Sequence, residues 1–187
     1  GRLGESRVLE AAFGTEAAAI FDRVREVRIV ACGTSYHAGC VARYWFEALA
    51  GVPCQVEIAS EFRYRDSVVP ADALLVAISQ SGETADTLEA LREARRRGYA
   101  HTLAICNVPE SSLTREADLK LMTHAGPEIG VASTKAFTTQ LTALMLLVVA
   151  LGRRHGLDAA AEADLVDELR RLPAAVQGTL VLDPPIA

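Results

Sequence analysis

Three hydroxyl side chains, Ser79, Ser81 and Thr84, fall within six residues of one another, with Gln80 and Gly82 set among them. Before them runs an apolar stretch, Leu74-Leu75-Val76-Ala77-Ile78, and after them an amphipathic helical pattern begins. A strand that turns directly into a helix leaves the first amides of the helix without intrahelical partners, beside the positive end of the helix dipole. The hydroxyls add donors at the same point, and Gly82 lets a ligand approach the backbone closely. Residues of these types at this spacing bind an anion, and a phosphate group fits best.

What the run lacks narrows the guest. From Ser79 to Thr87 there is one glycine and no lysine or arginine. A nucleotide-hydrolysing loop ends in Gly-Lys-Ser/Thr, and a dinucleotide fold needs spaced glycines, so neither reading holds. The serine-hydrolase elbow fails as well, because Ser79 and Glu83 stand where its glycines belong. Ser81 is thus read as a donor and not a nucleophile. With dipoles and hydroxyls as the only balancing groups, one terminal phosphate monoester suits the loop better than a metal-bridged triphosphate. The competing structural reading is that Ser79, Ser81 and Thr84 are ordinary helix caps bonding the N2 or N3 amides. Glu83 is read as a first-turn carboxylate complementing the helix dipole, not as a base.

The loop needs a scaffold that holds its strand and helix apart. Apolar runs predict strands over 27–31, 55–58, 73–78, 102–106 and 119–122. Between and after them, helices are expected over 36–50, 84–97 and 133–155, closed by Gly51, Gly98 and Gly156. Strands alternating with helices of this length imply right-handed crossovers, hence an α/β fold. The expected architecture is three-layer: a parallel five-stranded sheet with helices on both faces, doubly wound in the flavodoxin manner. Ligands bind such sheets outside the carboxyl ends of the strands, where the strand order reverses. Three turns carry hydroxyls and should meet there: Cys32-Gly33-Thr34-Ser35, Ser79 to Thr84, and Gly130-Val131-Ala132-Ser133-Thr134-Lys135. Residues 1–25 are expected to form a helical lead-in with an apolar face over 5–24. Residues 26–157 should form the phosphate-binding domain, and 158–187 a helical extension broken at Pro173.

Bulk properties exclude several classes. With 187 residues the chain can bury one sizeable core. Hydrophobic residues at 50% with only 5% aromatics favour helices packed tightly on a sheet over a β-sandwich. A net charge of -5, with the arginines scattered or at helix ends such as Arg95, Arg96 and Arg97, argues against a nucleic-acid partner. Cys32, Cys40, Cys54 and Cys106 show no metal-ligand spacing with each other or with histidine. No metal and no cofactor is expected, and the thiols are read as reduced, in a cytoplasmic protein. The apolar segment 141–151 is far short of the roughly 20 residues that span a bilayer, so it is read as a buried helix with no membrane partner.

The runs 32–36, 43–47, 57–64, 79–87 and 128–140, in that order, closely resemble the sugar isomerase (SIS) family, over roughly residues 26–175. Within it they are similar to the first of two SIS domains in the enzymes that pass ammonia from glutamine to fructose 6-phosphate and so begin hexosamine synthesis. The resemblance implies that Ser79, Gln80, Ser81 and Thr84 hold the phosphate of fructose 6-phosphate or a related sugar phosphate. It further implies that Thr34 and Ser35, with Cys32, line the sugar, and that Val131, Ala132 and Ser133 close the site. A glutaminase domain, a second SIS domain carrying the catalytic groups, and a homodimer are the implied partners. No catalytic residue is then expected within these 187 positions, which read as a domain stopping before the second SIS domain. Glu128 is a candidate to face the sugar, and Lys135 a structural ion pair or a charge near the phosphate. Where related sequences often have Asn after the Tyr of the first turn, this chain has His37. Two alternatives remain open. One is a sugar-phosphate sensor module of a transcription regulator, which would need a basic segment upstream. The other is a self-sufficient phosphosugar isomerase, which would need its own base.

Overall fold

The computed structural model describes residues 1–130 and 133–180. Five strands, β1 (Glu26–Ala31), β2 (Cys54–Ile58), β3 (Ala73–Ser79), β4 (His101–Cys106) and β5 (Leu119–Met122), form one all-parallel sheet in the order β2-β1-β3-β4-β5. The fold is α/β, with five parallel strands and helices on both faces. All seven residues of β3 are buried, which is why its sequence reads as a continuous apolar run and does not alternate.

The two faces are covered by different helices. On one side Ile29, Val76, Ile78 and Ile105 pack with Ala38 and Ala42 of α2 (Gly33–Trp45) and Leu144 and Leu147 of α6 (Lys135–Gly152). On the other, Val30, Leu75, Ala77 and Ala104 pack with Phe62 of the short α3 (Ala59–Phe62) and Ala90, Leu91 and Ala94 of α4 (Ala85–Arg97). Each fully buried Val, Leu, Ile or Phe contributes roughly 1.5–3 kcal/mol. Contact with α2 is close: a Cβ on Gly39 would lie 2.9 Å from Ile29 Cγ2. Since β1 feeds α2 on one face and its neighbour β3 feeds α4 on the other, the strand order reverses between β1 and β3. The crevice of a doubly wound sheet opens at that point.

Two of the three helix ends follow the expected chemistry, whereas α6 stops at Gly152 and turns through 153–156 before the expected stop at Gly156. The chain leaves α4 through Gly98 at φ 95°, and the last turn of α2 widens over Phe46–Ala50 before Gly51. Two further segments differ from expectation. The lead-in has no continuous helix. Its apolar residues Val8, Phe13, Ile20, Phe21 and Val24 are buried, but around a 3₁₀ turn (Glu10–Ala12) and a five-residue α1 (Ala17–Phe21), separated at Gly14. Edge-on packing of Phe13 on Phe21, 5.3 Å between centroids, does what a helical stripe would have done. In the tail, α7 (Ala159–Thr179) runs through Pro173. Residues 170–180, around that proline, are exposed.

α6 is the one helix among the described residues long and apolar enough to cross a membrane, and most of it lies inside the core. All four cysteines are free, and burial pushes the Cys54 thiol up to about 12.

Candidate functional site

The β1–α2 turn, the β3–α4 turn and the segment entering α6 meet around one cavity of about 240 Å³. Its wall includes Cys32, Thr34 and Ser35 from the first turn, Ser79, Gln80, Ser81 and Thr84 from the second, and Ser133 from the third. Val131 and Ala132 lie outside the described residues. Gly33, Ile78 and Thr87 complete the wall. Thr87 was legible in principle: it sits three residues after Thr84, hence on the same face of α4. Its hydroxyl lies 4.0 Å from Cys32 Sγ and ties the two turns together across the switch point.

Within the β3–α4 loop the hydroxyls have two tasks. The Gly82 amide donates to Ser79 Oγ at 3.0 Å, and Ser79 Oγ lies 3.0 Å from Thr84 Oγ1. With Ser79 donating in that pair, the Thr84 proton is free for a ligand. The Glu83 amide donates to Ser81 Oγ at 3.1 Å, which leaves the Ser81 proton free in the same way. Both bonds go to loop amides ahead of α4, so neither serine is the helix cap that the competing reading expects. Thr84, the N-cap of α4, makes no side-chain bond to its helix either, and neither does Cys32, the N-cap of α2. Two helix starts with no side-chain cap thus border the cavity, and no Lys or Arg is among the described residues that line it.

The loop is tied from behind. Gly82 stands at φ 70°, a region that costs side-chain-bearing residues, and its Cα packs against Ser111 and Cys106. The Gly82 carbonyl accepts from the Leu113 amide at 3.1 Å, and the Gln80 carbonyl from the Asn107 amide at 3.3 Å. Glu83 turns away from the cavity and accepts from the Ser112 amide at 2.7 Å. That bond holds its carboxyl below the usual carboxylate range, so it stays ionised and serves as an anchor. These supports, Asn107, Ser111, Ser112 and the short α5 (Ser112–Glu116), were invisible in the sequence because they depend on which strand lies next to β3.

Glu128 donates nothing to the cavity wall. Its Oε2 accepts from the Ala136 amide at 2.9 Å and caps α6, where a carboxylate complements the helix dipole. Lys135 is exposed at the first residue of α6, off the cavity wall, and forms no ion pair among the described residues.

A glutamine–fructose-6-phosphate aminotransferase [isomerizing] of Pseudomonas putida is 66% identical over 98% of this chain, and its counterpart in Escherichia coli K12 is 56% identical over the same share. The chain spans 30% of the length of each. Among solved structures, the C-terminal domain of glucosamine-fructose-6-phosphate aminotransferase from Francisella tularensis superposes with a TM-score of 0.95 at 50% identity, covering 99% of this chain and 52% of that one. These relatives are aminotransferases, and nothing in them favours a regulator's sensor module. Residues 20–150 match the SIS domain, and the chain belongs to the SIS domain family.

Proposed function

We propose that this chain is the fructose-6-phosphate-holding part of the isomerase half of a glucosamine-6-phosphate synthase. The whole enzyme would convert fructose 6-phosphate and glutamine into glucosamine 6-phosphate and glutamate, in the cytoplasm, with no cofactor. The observation that carries the reading is the cluster of Ser79, Ser81 and Thr84 hydroxyls at the β1/β3 switch point, beside two helix starts without side-chain caps. In this reading Ser79, Gln80, Ser81 and Thr84 receive the phosphate, Cys32, Thr34 and Ser35 face the sugar, and Ser133 closes the site with Val131 and Ala132. Holding the phosphate fixes the far end of the sugar, and such remote binding energy aligns a reacting carbon for chemistry done by other groups.

Glu83 and Glu128 are both engaged as backbone acceptors, and we assign neither as an acid or base. Ring opening and proton transfer between C1 and C2 would come from a second SIS domain, and ammonia from a glutaminase domain. An apolar groove of about 690 Å³ between α6 and α7, with Trp45, Leu141, Met145, Leu169, Leu172 and Val176 on its wall, is consistent with further protein packing there, in the same chain or in a homodimer.

A paired binding and turnover measurement tests the proposal. Fructose 6-phosphate should bind the 187-residue chain, Ser81→Ala should weaken that binding, and no glucosamine 6-phosphate should form when ammonia is supplied. Product formation by this chain alone would contradict the division of labour.

A further inference from the structure

Asn107 stands at the end of β4, outside the cavity wall, and bonds to both of the segments that border it. Its backbone amide donates to the Gln80 carbonyl at 3.3 Å. Its side chain points the other way, to the stretch after β5. There Oδ1 accepts from the Ala125 amide at 2.7 Å and from Thr123 Oγ1 at 3.1 Å, while Nδ2 donates to the Gly126 carbonyl at 2.8 Å. Both acceptor directions of Oδ1 and one of the two Nδ2 donors are thus used on one turn. That turn is costly without help at His124, which stands at φ 55° in the left-handed region. Downstream of it come Glu128, which caps α6, and Ser133 on the cavity wall.

We propose that Asn107 is a positioning residue that registers the Ser133-bearing segment against the phosphate loop. Only a side chain with acceptor and donor at the same end can hold Ala125 N–H and Gly126 C=O together. Aspartate keeps the first contact and loses the second. The Gln80 contact runs through the backbone, so it survives substitution and fixes one end of the linkage while the side chain sets the other. The assignment rests on the sugar-phosphate reading of the site for its consequence, but not for its geometry.

Amide hydrogen exchange and fructose 6-phosphate titration on the 187-residue chain, comparing wild type with Asn107→Ala and Asn107→Asp, separate the two. In Asn107→Ala, exchange at the Ala125 amide should speed up at least about tenfold, the scale of losing its bond, with Val76 and Leu103 in the sheet unchanged. Asn107→Asp should restore protection at Ala125, because the acceptor is kept. Binding should weaken about tenfold in Asn107→Ala, and Val108→Ala, next along the chain with its side chain exposed, should bind as wild type. Unchanged exchange at Ala125, or acceleration spread equally through the sheet, would overturn the positioning role. If wild type binds no sugar phosphate, the functional reading fails, and the exchange comparison still decides the role of Asn107.

Discussion

A Cβ placed on Gly82 would lie 2.0 Å from Ser111 Oγ and 2.8 Å from Cys106 Sγ. The loop that carries Ser79, Ser81 and Thr84 therefore rests directly on the β4–α5 segment, with no room for a side chain between them. Gly82→Ala should destabilise the chain by about 2 kcal/mol or more, combining the left-handed backbone penalty with displacement of Ser111. Denaturant unfolding measures this. Adding Ser111→Gly should recover part of the loss, since it removes two of the three close contacts; no recovery would mean that the clash is not the cause.

Ser81→Ala and Thr84→Ala each remove one hydroxyl proton available to a bound phosphate. Each should weaken fructose 6-phosphate binding by roughly 10- to 100-fold, the range of a charge-assisted hydrogen bond, with little change in stability. Ser79→Ala should weaken binding and also lower stability, because buried Ser79 accepts from the Gly82 amide. Calorimetric titration beside thermal melting distinguishes the two patterns.

Glu83→Gln keeps an acceptor for the Ser112 amide and should bind sugar phosphate as wild type does, whereas Glu83→Ala should loosen the loop and weaken binding a few-fold. A general base at this position would give the opposite outcome, with Glu83→Gln as damaging as Glu83→Ala in an assay of the whole enzyme.

How much of this was legible in the sequence differs by element. The strands and the helices α2, α4 and α6 were readable because burial on both faces of a parallel sheet writes continuous apolar runs, and because Gly51 and Gly98 mark helix ends. The meeting of the turns at Cys32, Ser79 and Ser133 followed from the handedness of the crossovers. Besides the supports behind the loop, three features were not legible. Phe13 and Phe21 mimic a helical face that is an irregular cluster, and Pro173 sits in a helix wet enough to tolerate it. Glu128 looked available for a ligand because nothing local reveals that its carboxylate folds onto the Ala136 amide.

Stability toward acid should depend on Glu162. This carboxylate is 5% exposed, accepts from the Val8 amide at 3.1 Å and pairs with Arg153 through both oxygens. Burial alone would raise its pKa, but the Arg153 and Val8 bonds outweigh it and hold the group below the usual range. Its contribution is therefore complete above the unfolded carboxylate value of about 4.3 and disappears as the pH falls through the lower native value. Glu162→Gln should flatten the acid limb of a stability–pH curve, and Glu162→Ala should cost about 3 kcal/mol at neutral pH by leaving Arg153 half-paired.

The most direct measurement is an amide NMR titration of the 187-residue chain with fructose 6-phosphate, with fructose as its unphosphorylated control. The expected result is that the phosphorylated sugar shifts the amides of Ser79 to Thr87, together with Thr34 and Ser35, while fructose at the same concentration leaves them in place. Shifts confined to another part of the surface, or equal shifts with fructose, would contradict a phosphate cradle built from neutral hydroxyls and helix amides.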